Sequence, residues 1–163
     1  MKVKFKKLRE NAKLPTKVHN EDFCYDVYAC DCEEVSPGVY RYPLGFALQI
    51  DDKENFGLQE WNRCFGFMPT IDKLILSIDF RPRSSIYKTG MSLCNAVGTG
   101  DRPYTGEYWA YFYHLKPELP KYEAGDKVAQ MKIGFTLPIE FIEVDELDET
   151  DRGDGGFGST GLQ

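Results

Sequence analysis

Residues 81–107 read RPRSSIYKTGMSLCNAVGTGDRPYTGE. Arg81, Arg83 and the paired Ser84 and Ser85 come first. A glycine-rich run follows and carries the acid Asp101. The stretch lies between two apolar, strand-like runs, KLILSIDF at 73–80 and EYWAYFYHL at 107–115. Basic groups, hydroxyls and an isolated carboxylate suit a phosphate-bearing ligand and a catalytic base. Ser84 to Lys88 predicts one or two turns of helix, with N–H groups and hydroxyls aimed at an anion and Gly90 as its end. SLCNAV and EYWAYFYHL predict two strands, and GTGDRPYTG between them a hairpin loop. EYWAYFYHL is apolar on both faces, which predicts burial on both sides or a subunit contact.

The chain on either side reads as more strands. KVKFKKL at 2–8 alternates Val3 and Phe5 with lysines, a half-buried strand with a solvated basic face. DFCYDVYAC at 22–30 alternates Val27 and Ala29 with Tyr28 and Cys30, with Asp26 near its start as a turn-capping acid. Ser36-Pro37-Gly38 marks a turn, and VYRYPLGFALQI reads as strand, turn, strand. Residues 51–72 are irregular and read as an inserted loop or hairpin. There Trp61, Phe65 and Phe67 either pin the insert to the body or form a surface for a protein partner. KVAQMKIGF is a strand interrupted by Gln130, and a last strand is expected near IEFIEV at 139–144. No helix of ordinary length is visible. The fold class is all-β: many short strands in a sandwich or barrel.

The chain has 163 residues, a usual size for one domain. Its formal net charge of −6 disfavours stable binding to nucleic acid backbone. The ten Tyr and eleven Phe suit strands. No apolar run approaches the ~20 residues needed to span a bilayer, and MKVKFKKLRE lacks the apolar core of a secretory signal. The expected location is cytoplasmic, or the host cytoplasm for a phage-encoded chain. Cys24, Cys30, Cys32, Cys64 and Cys94 show no CxxC pairing, which predicts free thiols rather than a zinc site. The end, DELDETDRGDGGFGSTGLQ, cannot build core. Arg152, Phe157, Ser159 and Thr160 among its glycines make it a disordered acidic tail or a closing lid.

Five stretches, in this order, resemble the motifs of the trimeric dUTP pyrophosphatases (dUTPases): FCYDVYA, RPRSS, NAVGTGDRPYTGE, GDKVAQM and DRGDGGFGSTG. The entry segment KFKKLRENAKLP is similar as well. The resemblance spans almost the whole chain except roughly 51–72. It implies a jelly-roll-like β-fold (β-clip) over residues 1–144, with 145–163 as a flexible lid. It further implies a homotrimer whose three sites each draw on all three chains. The implied reaction is hydrolysis of dUTP to dUMP and pyrophosphate, which keeps uracil out of DNA and supplies dUMP for thymidylate synthesis.

Carried over by position, Asp101 is the base that activates water, and Tyr104 packs under deoxyribose and leaves no room for a 2′-hydroxyl. Asn95 and nearby main chain, Gly98 included, read uracil. Arg83, Ser84 and Ser85 lie along the phosphates. Asp26 and Gln130 hold waters around a Mg²⁺ bound mainly by the triphosphate. Arg152 contacts the terminal phosphate, Phe157 stacks over uracil, and Gly158, Ser159 and Thr160 add phosphate donors.

The chain departs from that pattern at Cys24 and Ser85, where the family usually has Gly. Gly100 stands where Ile commonly precedes the acid, Pro103 stiffens the loop before Tyr104, and 51–72 is long. Two alternatives remain. RSSIYKTG also resembles the Arg-Ser-Ser motif of dCTP deaminases, which share this fold, but the position of their acid–base Glu falls on Tyr111. The other is a non-catalytic dUTP-binding regulatory protein that signals through residues 51–72.

Overall fold

The structure is a computed structural model that describes residues 2–50, 75–136, 139–151 and 153. The expectations for the 51–72 insert, its aromatics and Cys64 lie outside the described residues. So do those for Arg152, Phe157, Gly158, Ser159 and Thr160.

Among the described residues ten strands run in order: β1 (Val3–Lys7), β2 (Tyr25–Tyr28), β3 (Glu33–Ser36), β4 (Val39–Pro43), β5 (Phe46–Ile50), β6 (Ile75–Arg81), β7 (Met91–Leu93), β8 (Gly98–Asp101), β9 (Trp109–His114) and β10 (Lys127–Thr136). One sheet has the order β2-β10-β6-β8, a second β3-β4-β9-β7, and β1 pairs with β5. Every pairing is antiparallel. The fold is all-β, as the residue pattern predicts.

The core draws on all three sheets. Val27, Ile78 and Val128 of the first meet Tyr42 and Phe112 of the second and Phe46 of β5. The Tyr42 and Phe112 rings meet edge to face at 5.5 Å between centroids, and Phe112 meets Tyr122 at 5.4 Å. The Tyr42 hydroxyl donates to the Tyr122 carbonyl at 3.1 Å, so its burial leaves no polar atom unpaired. Each such buried apolar side chain contributes about 1.5–3 kcal/mol.

Several local expectations need correction. Val3 is exposed, and of β1 only Phe5 reaches the core, its ring 5.2 Å from Phe46. Asp26 is not a turn cap but lies within β2, and β3 was not anticipated at all. The helical turn expected over Ser84–Lys88 is present, as a 3-10 segment, but Arg83 at its N-cap makes no side-chain cap. Gly90 does not stop it through a left-handed backbone. A Cβ there would run into the Lys116 carbonyl, so the glycine permits a close approach of main chain.

The strand in SLCNAV ends at Leu93, and GTGDRPYTG is more than a hairpin loop. Met91–Leu93 does pair with β9, but the chain between them leaves that sheet, and Gly98–Asp101 pairs with β6 on the other. Within one chain β9 alternates rather than burying both faces: Ala110 and Phe112 are buried, Tyr111 and Tyr113 exposed, which leaves the subunit-contact alternative. Finally, 139–144 forms no strand, and Ile139, Phe141, Ile142 and Val144 are exposed. A strand needs an edge to pair with, and within the described residues this segment has found none.

Candidate active site

The residues expected around Asp101 come together. β8 ends on Asp101 at the edge of the first sheet, where Phe80 stands opposite Gly98 and Ser77 opposite Asp101. Asn95 sits in the turn before β8, and a Cβ on Gly98 would stand 3.0 Å from its Nδ2. A tight turn follows Asp101, closed by the Tyr104 N–H donating to the Asp101 carbonyl at 3.0 Å. The Tyr104 hydroxyl donates to the Glu107 carbonyl at 2.9 Å, and its ring meets Tyr108 edge-on at 5.2 Å. The Glu107 side chain is gripped by both donor arms of Arg9, at 2.5 and 3.2 Å. That hydrogen bond holds the Arg9 guanidinium above its ordinary pKa. Arg9 also lies over the Trp109 ring at 5.3 Å.

These ties leave a cleft of about 290 Å³, lined among others by Asn95, Gly98, Asp101, Tyr104 and Tyr108. Its rigid aromatic walls and an accessible carboxylate at one end suit a flat polar ligand.

The other expected residues form a second cluster. Arg83 Nε donates to Asp26 Oδ1 at 2.8 Å, and Lys127 Nζ reaches Asp26 Oδ2 at 2.8 Å. Arg83 also donates weakly to Ser85 Oγ at 3.4 Å, and Gln130 Nε2 donates to the Pro82 carbonyl at 2.9 Å. Ser84 opens the 3-10 turn beside them. Asp26 links β2, the start of β10 and the segment after β6, and its bond to Lys127 raises the ammonium pKa. Sequence reasoning missed this clamp. The spacing alone does not reveal that Asp26 would face two cations.

One chain does not bring the two clusters together. Asp26 stands opposite Gln130 and Gln130 opposite Arg81, whereas Asp101 stands opposite Ser77. The clusters therefore lie three strands apart and four residues apart along the sheet, on the order of 20 Å.

A family model described as dUTPase matches residues 66–161, more than half of the chain. The deoxyuridine 5′-triphosphate nucleotidohydrolase of Gloeothece citriformis is 34% identical over 99% of this chain and 98% of its own. That of Hydrogenobaculum sp. is 32% identical over the full length of both. The chain belongs to the dUTPase family.

Among solved structures, a mutant dUTPase of Staphylococcus bacteriophage 80alpha, held with dUpNHpp, superposes with a TM-score of 0.74. It covers 99% of both chains at 19% identity, a likeness of fold. A mutant dUTPase from phage phi11 of S. aureus, described with a coordinated structural Mg(II) ion, gives a TM-score of 0.65 at 17% identity, over 91% of this chain and all of its own.

For this dUTPase-family chain, the donors present bear on how a magnesium ion would be held. Both Asp26 oxygens face cations, and the Gln130 amide is engaged with Pro82. Among the described residues no three His, Cys, Asp or Glu side chains converge as a metal cage. Such donors fit an ion carried by phosphate oxygens and water, with protein contact through water alone.

Proposed function

We propose that the chain hydrolyses dUTP to dUMP and pyrophosphate, with Asp101 as the general base. The carrying observation is the Asp101 cleft, where the carboxylate stands at the edge of a pocket walled by Tyr104, Tyr108 and Asn95. Asn95 and the Gly98 main chain bind the uracil edge. Tyr104, pinned through its hydroxyl to Glu107, offers a fixed ring face to deoxyribose and excludes a 2′-hydroxyl. Asp101 takes a proton from water as its oxygen attacks the α-phosphorus. The bond to the α–β bridging oxygen breaks, and pyrophosphate leaves with that electron pair.

Arg83, Ser84 and Ser85 lie along the phosphates, with Asp26 fixing the Arg83 guanidinium. Mg²⁺, bound by the triphosphate and reached through water by Asp26 and Gln130, neutralises phosphate charge. Arg152, Phe157, Gly158, Ser159 and Thr160 close over the nucleotide from the tail. The separation of the two clusters supports a site shared between subunits, here a homotrimer in which the phosphate side of one subunit faces the Asp101 cleft of another.

The dCTP deaminase alternative is not favoured. Tyr111, at the position of its acid–base Glu, is on the exposed face of β9. No helix among the described residues is long and apolar enough to cross a membrane.

The test is a panel of dUTP, dCTP, UTP and dTTP with Mg²⁺, following pyrophosphate and ammonia separately. Pyrophosphate from dUTP alone is expected. Ammonia from dCTP, or tight dUTP binding without either product, overturns the proposal.

A further inference from the structure

Tyr108 lines the cleft, yet its position carries no motif role in the reading above. The side chain is 6% exposed, and its hydroxyl is buried without a hydrogen-bond partner. Its ring is fixed on three sides, at 5.1 Å from Phe80, 5.2 Å from Tyr104 and 6.0 Å from Phe46. The tip lies over Gly100. A Cβ there would stand 2.7 Å from Tyr108 Cε1 and 3.2 Å from the hydroxyl oxygen. The ring therefore takes the room that a side chain at position 100 would fill. It brings a hydroxyl to the β8 main chain, one residue from Asp101.

Buried hydroxyls are as a rule satisfied by protein, water or ligand. We infer that the Tyr108 hydroxyl is a binding group of the nucleotide cleft, donating to an oxygen of the nucleoside directly or through one fixed water. The cleft lining holds no cation, only neutral groups with Asp101 and Glu107, so the part of the ligand it takes is the uncharged nucleoside and not the phosphates. The hydroxyl keeps its proton for this role. Burial, then the neighbouring Tyr104 and Asp101, push its pKa up to about 12. Gly100 and Tyr108 thus form a matched pair, and the departure from Ile at position 100 makes room for a polar contact.

The inference rests on the nucleotide reading, and one experiment separates the two. Binding of a non-hydrolysable dUTP analogue is measured on wild type and on Tyr108→Phe by calorimetry, with the melting temperature of each recorded with and without the analogue. Loss of one neutral hydrogen bond weakens binding by about three- to tenfold. Without ligand, Tyr108→Phe should melt at or above the wild-type temperature, since it removes an unpaired buried group. Its ligand-induced rise should be smaller.

Equal affinity of the two proteins overturns the Tyr108 role and leaves the nucleotide reading standing. A Tyr108→Phe protein that melts lower without ligand yet binds as wild type shows a purely structural hydroxyl and also overturns it. No binding by wild type overturns both readings. Gly100→Ala, which pushes the tip aside, should weaken binding in the same direction and provides the second variant.

Discussion

Asp101, Asn95, Gly98 and Tyr104 come from the motif resemblance, and because they sit within a few residues of one another a short loop folds them together. The cleft gathers all four. Tyr108 was not legible, because it begins an apolar run in which a tyrosine reads as core. Its importance depends on Gly100 lying under its ring, a contact that no spacing rule encodes. Asp26 was half legible. The motif marks the position, but the two cations that hold it come from 57 residues away and from β10. The decisive variant at this scale is Asp101→Asn. It keeps the shape of the side chain and loses the base, so turnover should fall by about 10²–10⁴-fold. The affinity for a non-hydrolysable dUTP analogue should be close to wild type. Single-turnover rates with a parallel binding isotherm check it, and full activity removes Asp101 from its role.

Strand existence was easier to read than strand partnership. Alternation marked β2 and β6, and apolar runs marked β4, β5, β9 and β10, because each contributes side chains to a common core. It did not show that β8 would cross to the other sheet, since Gly98 and Gly100 carry no side chains to declare a face. Nor did it show that 139–144 would be left unpaired. The turn between β4 and β5 shows how one residue governs an element. Gly45 has φ +75°, and an added Cβ would collide with Cys30 Sγ and stand 2.8 Å from Ala12 Cβ. Its carbonyl also accepts from the Leu8 and Arg9 N–H groups, at 2.8 and 3.2 Å. Gly45→Ala should therefore cost about 1–3 kcal/mol from backbone strain alone, and more from the collision. A urea titration followed by tyrosine and tryptophan fluorescence reads this as a lower midpoint with an unchanged slope.

For the whole molecule, the all-β class followed from composition and turn spacing, and the family resemblance from five motifs in order. How those motifs would assemble was hidden, because the proposed arrangement draws on more than one chain. Asp26 on β2 and Asp101 on β8 stand on the two edge strands of one sheet, with Gln130 on β10 and Arg83 just after β6 between them, so a solitary subunit keeps the Asp26 clamp apart from the Asp101 cleft. The tail has its proposed role at this same scale. Ending the chain after Thr150 should leave a trimer by analytical ultracentrifugation while hydrolysis falls steeply. An unchanged rate shows that the tail is not a lid.

The distance between the two clusters has a genetic reading. If a working centre borrows Asp101 from one subunit and Arg83 from its neighbour, two dead alleles can rescue each other. Asp101→Asn and Arg83→Ala proteins, each inactive alone, should regain measurable turnover when unfolded together and refolded as mixed assemblies, because some interfaces then pair an intact cleft with an intact arginine. Under the same proposed sharing, a single defective allele would poison assemblies that also contain healthy subunits.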